Sequence, residues 1–263
     1  MKYRGLIFLA LVTLIFFLSY SIPPLYAVNQ HTYYPHGLWL SGADYLEYDW
    51  YSRTQPAHLA FSLLIAGLNK AGLLAAGSTL IEVLLSLALI GGWWLQIYAV
   101  LTDLHEQKFT WPRPLSRLFL ASVILGGVIV SWVLWWEMYF WIQTTGFRPR
   151  LHFFTLTGGF AGQYIFGGYL QPSEFGILML LGVGLIHLRR PAWAVILFAI
   201  AATFQFSYFI HASIMVLIVV VWLYRTGQRT RTLRSALLYA ALTLPTFVYA
   251  LSFSINQPEA AEA

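Results

Sequence analysis

The sequence predicts an all-α protein, a polytopic transmembrane bundle of about seven spans with one further helix at the outer membrane surface. Hydrophobic residues make up 59% of the chain and charged residues only 10%, whereas a typical soluble domain is about 25% charged. The charged residues separate long uncharged runs, and Lys and Arg are unevenly distributed among the intervening segments. A protein with so few charged residues could not cover its surface in water. The lipid bilayer is therefore the expected solvent.

Uncharged runs define the predicted spans. The run over residues 5–25 reaches across the hydrocarbon core of roughly 30 Å, and it is longer than the apolar part of a signal peptide, about 7–15 residues. Residues 191–224 would form one helix of about 51 Å, so we predict two short helices with a break near residues 205–208. The predicted spans lie near residues 5–25, 79–101, 117–139, 173–188, 191–206, 209–225 and 234–253.

The positions of Lys and Arg predict the orientation, because these residues favour the inner side. If residues 58–76 do not cross, 11 of these residues lie inside and 4 outside; if they do cross, the split becomes 5 to 10. Residues 58–76 are therefore predicted to form an interfacial helix, interrupted near Asn69 and Lys70. The N-terminus is then inside, the C-terminus outside, and the outer loops cover residues of about 27–78 and 140–172.

The first outer loop is acidic and aromatic. Asp44, Glu47 and Asp49 fall within six residues, and the first two would share one face of a helix. Glu47 and Asp49 flank Tyr48, a spacing that can share a divalent cation if the backbone is extended. The alternative is an interfacial loop with an aromatic belt and merely hydrated acids.

The second outer loop carries Arg148, Arg150 and His152 and contains no Asp or Glu. Arginine on the outer side departs from the positive-inside trend. One guanidinium group can donate two parallel hydrogen bonds to the oxygens of a phosphate, so a lipid-linked phosphate is one expected partner. Binding of lipid headgroups without catalysis is the alternative.

Other features narrow the function. The chain has no cysteine, which excludes disulfides and thiol catalysis, and no zinc-protease, serine-hydrolase or ATPase motif is present. The net charge of +5 comes from basic residues between apolar runs, which indicates topology signals and anionic lipid contacts rather than nucleic acid. The ionisable groups predicted near membrane depth, at outer helix ends within reach of water, are Glu82, Glu137, Glu174 and His211.

The order of these parts resembles the GT-C superfamily of polytopic membrane glycosyltransferases. Residues 42–58, GADYLEYDWYSRTQPAH, resemble the acidic first loop of that family followed by its proline-histidine helix start. Residues 168–176 and 204–212 look like segments of a poorly characterised bacterial branch. The resemblance covers nearly the whole chain, but it consists of layout and short, loose motifs.

The resemblance implies transfer of a sugar from a polyprenyl-phosphate carrier to an acceptor on the outer face of the inner cell membrane. Asp44 would act as the base, with Glu47 or Asp49 as the next choices, and the arginines would steady the leaving phosphate. The implied site residues are Asp44, Glu47 and Asp49 for catalysis, and Arg148, Arg150, His152 and His58 for the substrate and its lipid-linked phosphate.

The sequence also departs from that family. Its second outer loop lacks the second acidic motif of many members, so no metal ligands are assigned and a divalent cation stays an open option. Residues 1–263 form one transmembrane domain in this interpretation, whereas family members usually continue, so a missing C-terminal part is one explanation. The alternative functions are a transporter or flippase and a non-catalytic lipid-binding assembly subunit. The sugar, the acceptor and the oligomeric state are not predicted.

Overall fold

The computed structural model describes residues 2–20, 25, 30–106, 121, 124–125 and 170–255. All regular structure in these ranges is helical, which confirms the predicted all-α class. The described α-helices are α1 (Lys2–Tyr20), α2 (Gln30–Leu40), α3 (Leu59–Lys70), α4 (Leu74–Glu106), α5 (Ile177–His187), α6 (Pro191–Phe204), α7 (Phe209–Arg225) and α8 (Arg229–Ile255). Apart from residues 121 and 124–125, the predicted span at residues 117–139 lies outside the described residues.

Three helical stretches, in α4, in α7 together with the 3-10 turn before it, and in α8, are long and apolar enough to cross a membrane. The stretches are Leu74–Thr102, Phe206–Arg225 and Arg229–Ser252. Helices α5 and α6 match two predicted spans in position but have only 11 and 14 residues. Their lengths of about 16 and 21 Å fall short of the roughly 30 Å hydrocarbon core. By length and composition, three helical stretches of the described residues could therefore cross a membrane, and the short hairpin α5–α6 packs among them.

The predicted break in the long uncharged run is confirmed. Helix α6 ends at Phe204, where Gln205 takes an extended conformation with φ −133° and ψ 103°. A 3-10 turn over Phe206–Tyr208 follows, and α7 begins at Phe209. Gln205 and the turn after it thus divide an uncharged run that is too long for a single membrane crossing.

A tight turn separates α3 from α4. Gly72 has φ +69°, and the amide of Leu73 donates to the carbonyl of Leu68 at 2.9 Å. This is the six-to-one hydrogen bond of a Schellman motif, which needs a left-handed residue that glycine provides at little cost. Arg189 adopts the same left-handed conformation, φ 57°, at the end of α5 without being glycine. The predicted segment 58–76 is therefore a separate helix, α3, followed by the first turn of α4.

Helix α6 lies at the centre of the packing, against α5, α7, α8 and the start of α3. Its small residues Ala194, Ala199, Ala201 and Ala202 are almost completely buried. Small side chains let neighbouring backbones approach closely, which is the usual basis of helix packing in lipid. A second cluster surrounds α3 and α4, so the short hairpin joins two packed groups of helices.

The exposed face of the long helix α7 is apolar. On α7, Ile210, Ile214, Leu217 and Ile218 follow a helical spacing, and each is more than half exposed. An exposed apolar stripe of this kind would be unfavourable in water but suits contact with acyl chains. This face agrees with the membrane environment that the composition predicts.

Candidate functional site

Helices α2 and α3 form a pair that holds the acidic segment between them. Residues 41–58, here called the acid loop, connect the two helices; helix α2 itself was not expected within the predicted first outer loop. The pair is in close contact at Gly37, where an added Cβ atom would lie 2.6 Å from Ile65 Cβ and 2.7 Å from the Ser62 carbonyl oxygen. Only glycine allows this approach, so Gly37 sets the distance between the two helices.

The acid loop is held by hydrogen bonds at both ends. At its start, Asn69 Nδ2 donates to Ser41 Oγ at 2.7 Å. Towards its end, the Tyr249 hydroxyl of α8 donates to the Pro56 carbonyl oxygen at 2.7 Å. His36 Nε2 lies 3.1 Å from Thr54 Oγ1. These contacts tie the loop to α2, α3 and α8 and leave its middle part facing outward.

The three predicted catalytic acids differ in their surroundings. Asp44 opens a 3-10 turn, Asp44–Leu46, and both Asp44 and Glu47 are exposed. Residues three apart lie on one side of such a turn, so these two acids share a face although no α-helix is formed. Asp49 is partly buried, and its carboxylate accepts the backbone amides of Tyr51 at 3.3 Å and Ser52 at 3.2 Å. Asp49 therefore stabilises the loop, while Asp44 and Glu47 remain open to a substrate.

Exposed aromatic rings accompany the two open acids. Tyr45, Tyr48 and Trp50 are 72%, 91% and 76% exposed. Such flat, half-polar rings suit stacking on sugar rings and the polar interface of a bilayer equally well. Glu47 and Asp49 flank Tyr48 in a turn rather than in the extended backbone that a shared cation requires. Within the residues that the structure describes, no group of three or more metal-binding side chains occurs.

A cavity of about 630 Å³ begins where the acid loop ends. Its wall is formed by the start of α3, the end of α6 with the turn after it, and the C-terminal part of α8, including Tyr249. Small-molecule sites usually fall between about 300 and 1,000 Å³ and are mostly apolar with few polar groups. The polar atoms of a mostly apolar wall come from His58, Thr203, Ser207, Thr246 and Tyr249. Asp44 and Glu47 do not line this cavity.

His58 is the predicted site residue that the structure places on the cavity wall. Its ring packs edge-on against Tyr33, with 5.4 Å between ring centroids. Burial, and to a smaller extent the nearby His36, lower the pKa of His58 to about 4. His58 is therefore neutral at pH 7, and its buried Nδ1 has no hydrogen-bond partner.

We expect the protein to lose stability in acid because of His58. Its pKa of about 4 in the fold lies below the usual value near 6.5, so the unfolded chain binds more protons between these two values. Lowering the pH from about 6.5 to about 4 should therefore reduce the free energy of unfolding, by up to about 3 kcal/mol. Burial also lowers the pKa of His36, which adds to the same trend.

Unfolding in detergent at a series of pH values measures this effect. The variant His58→Phe keeps an aromatic ring of similar shape but cannot be protonated, so its stability should depend less on pH. An equally steep pH dependence in this variant would contradict the assignment.

A buried polar network joins α2 to α4. Gln30 Nε2 donates to the Tyr34 hydroxyl at 3.1 Å, and this hydroxyl lies 3.3 Å from Ser78 Oγ. Glu82, one turn further along α4, is only 5% exposed and accepts the backbone amide of Leu170. The expectation that water reaches Glu82 was wrong, because its side chain is buried and is bonded to the backbone of Leu170.

Glu174 is also buried, at 0% exposure, in the 3-10 turn before α5. The Tyr208 hydroxyl donates to the Ser173 carbonyl oxygen at 2.9 Å. An added Cβ atom at Gly176 would lie 2.6 Å from the Tyr208 ring, so glycine is required for this contact. The expected access of water to Glu174 was therefore wrong as well.

Several predicted residues lie outside the described part of the chain: Arg148, Arg150, His152 and Glu137. Comparisons of the chain with protein-family models, with curated proteins and with solved structures found no match. The resemblance to the GT-C superfamily therefore stays a prediction based on layout and short motifs.

Proposed function

We propose that this protein is a multi-pass inner-membrane glycosyltransferase of the GT-C type. It transfers a sugar from a polyprenyl-phosphate carrier to an acceptor at the outer face. The observation that carries this proposal is the adjacency of the acid loop and the cavity, which meet at residues 56–58. Two exposed carboxylates thus sit on the segment that leads into a site large enough for a lipid-like molecule.

The three acids of the acid loop are assigned different roles according to how exposed their carboxylates are. Asp44, which is open to solvent, accepts the proton of the acceptor as the acceptor attacks the sugar carbon, and Glu47 shares its face of the turn. Asp49 is engaged by two backbone amides, so its part is to hold the loop in shape. Arg148, Arg150 and His152 are proposed to bind the leaving phosphate.

Sugar transfer tests this proposal directly. Purified protein in liposomes would receive a radiolabelled polyprenyl-phosphate sugar together with a membrane lipid extract as the acceptor source. Label should move from the carrier into a new product, and liposomes without the protein should show no movement. The enzyme proposal would be wrong if correctly folded protein transferred no sugar from any of several carriers with different sugars.

The proposed orientation has its own test. With seven spans and an inner N-terminus, the segment after the second span faces the cytoplasm. A reporter that works only in the cytoplasm should therefore be active when it is fused after Arg117. An outer location would mean that residues 58–76 cross the membrane. The acid loop would stay outside, but residues 140–172 with Arg148 and Arg150 would move to the inner side, away from the proposed chemistry.

Transport is the second candidate, and the buried network supports it. Glu82 is almost fully buried within a helix long enough to cross the membrane, and ionisable groups at such depth often line ion or substrate paths. The same liposomes distinguish the two functions. Movement of the intact lipid-linked sugar across the bilayer, without a new product, would favour transport.

A further inference from the structure

The turn that joins α5 to α6 and the turn that joins α7 to α8 lie at the same end of the bundle. Consecutive helices from α5 to α8 pack side by side and are joined by short turns, so the chain reverses direction at each turn. Helices α6 and α7 have 14 and 17 residues, and this difference is less than one helical turn. The two turns therefore reach nearly the same level.

Six arginines lie at this end of the bundle, which is here called the basic end. Two of them are in the turn after α5, one is the last residue of α7, and three are in the first two turns of α8. All six side chains are exposed: Arg189, Arg190, Arg225, Arg229, Arg231 and Arg234. Two segments that are separate in the chain thus present one group of cations.

Helix α4 also reaches the basic end, because it runs parallel to α5. Gly92 of α4 packs against Leu180 of α5, and further along both helices Leu95 packs against Gly184. The last turn of α4 contains one Asp and one Glu. Among the residues that the structure describes, six arginines are thus accompanied by two acids of α4, so the charge of the basic end is predominantly positive.

Exposed aromatic rings lie next to the arginines along the helices. Trp193 is in the first turn of α6, and Trp222 and Tyr224 are in the last turn of α7; all three are exposed. Trp and Tyr are typical of the level at which a bilayer meets water. This pattern indicates that the basic end lies at the surface of a membrane, where phospholipid headgroups are the nearest anions.

One of the six arginines occupies a position that usually holds glycine. In the turn after α5, the amide of Arg190 donates to the carbonyl of Leu185 at 2.9 Å, and the amide after Gly227 makes the equivalent bond in the turn after α7. Each turn therefore needs a left-handed residue before that amide. This residue is Gly227, with φ 77°, in one turn and Arg189, with φ 57°, in the other.

A residue with a Cβ atom is strained in the left-handed conformation, so glycine is the expected residue at position 189 as well. The preference of basic residues for one side of a membrane does not explain this strain, because it does not require a charge at that exact position. Strained residues occur mainly where function needs them. The group that glycine could not supply at this position is the guanidinium of Arg189.

We propose that the basic end binds the headgroup of an anionic phospholipid, and that Arg189 contacts its phosphate. A guanidinium donates two parallel hydrogen bonds to phosphate oxygens, and each further basic residue strengthens attraction to an anionic membrane surface. The acid loop is remote, because Tyr249, which bonds to Pro56, lies roughly 30 Å from Arg229 along α8. The assignment is therefore independent of the proposed sugar transfer.

Lipid binding by the purified full chain in detergent, measured by native mass spectrometry, tests the proposal. The probes are phosphatidylglycerol and phosphatidylcholine with identical acyl chains, which differ in the net charge of the headgroup. Phosphatidylglycerol should bind at least about fivefold more tightly, the effect of one basic residue at an anionic surface. Inorganic phosphate and a short single-stranded DNA are the competitors, and neither should displace the lipid at equal concentration.

Substitutions of Arg189 separate the effect of its charge from the effect of its strain. Arg189→Gln keeps the strained backbone but removes the charge, so phosphatidylglycerol should bind about fivefold more weakly without a change in the melting temperature of lipid-free protein. Arg189→Gly should weaken binding equally but raise this melting temperature by about 2–4 °C, because it relieves the strain. Arg189→Lys keeps the charge and should bind phosphatidylglycerol more tightly than Arg189→Gln does.

Arg53→Gln is the matched control, because Arg53 is an exposed residue of the acid loop and its replacement changes the net charge equally at the other end of α8. This variant should bind phosphatidylglycerol as the wild type does. Equal weakening by Arg53→Gln and Arg189→Gln, equal binding of the two lipids, or displacement of the lipid by phosphate or DNA would overturn the proposal. An Arg189→Gly variant without a higher melting temperature would also contradict it, because strain is the reason for assigning the contact to Arg189.

Discussion

Replacing Asp44 by asparagine is expected to reduce sugar transfer about hundredfold or more while leaving the amount of folded protein unchanged. Asparagine has the same shape as aspartate but cannot accept the proton of the attacking hydroxyl, and a general base contributes about 10²–10⁴ in rate. Asp44 is exposed, so its replacement should not disturb packing. The measurement is initial transfer rate in liposomes containing equal amounts of folded protein.

The other two acids of the acid loop provide controls. Asp49→Asn should destabilise the loop by about 1 kcal/mol, because the amide oxygen is a weaker acceptor for the amides of Tyr51 and Ser52 than the carboxylate is. Its transfer rate should therefore recover when the assay temperature is lowered, whereas that of Asp44→Asn should not. Full activity of Asp44→Asn would show that another group removes the proton, with Glu47 the next candidate.

Enlarging Gly37 to valine is expected to lower the free energy of unfolding by about 3 kcal/mol and to disrupt the acid loop. The first added atom already meets Ile65 Cβ at 2.6 Å and the backbone oxygen of Ser62 at 2.7 Å. Neither atom can move without shifting α3, and overpacking of this kind typically costs about 1–3 kcal/mol. Thermal unfolding and protease cleavage within residues 41–58 measure the two effects.

Gly67 on α3 offers a matched control. An added Cβ atom at this position has no atom within 4 Å, so Gly67→Ala should be neutral or should stabilise the helix by up to about 1 kcal/mol. Equal destabilisation by both substitutions would show that glycine matters for backbone freedom rather than for the distance between α2 and α3.

The sequence predicts what depends on local composition and length. The break at Gln205 follows from a run of uncharged residues longer than any single crossing, and the structure confirms it. The separate helix α3 follows from the charge count. In contrast, α2 contains Pro35 and Gly37 within an aromatic, polar stretch that resembles a loop, and its contact with α3 is a long-range feature that no local pattern indicates.

The candidate site is predicted only in part, for the same reason. The acids were recognised from their density, but their different environments depend on folded contacts, such as the turn in which Asp49 accepts two amides. The cavity is built from segments near residues 60, 205 and 248, which are far apart in the chain. Glu82 was expected to meet water because it lies near a helix end, and its burial against Leu170, 88 positions further along the chain, is visible only in the fold.

The hydrogen bond from Tyr249 to Pro56 has a consequence for the order of assembly. The two residues are 193 positions apart, and chains are synthesised at about 5–20 residues per second. The loop that carries Asp44 thus emerges roughly 10–40 seconds before its partner on α8 exists. During that interval the contacts seen among the described residues that can hold it are those with α2 and α3, so a ribosome-bound chain that stops before residue 249 should have an unfinished cavity and a loop open to proteases.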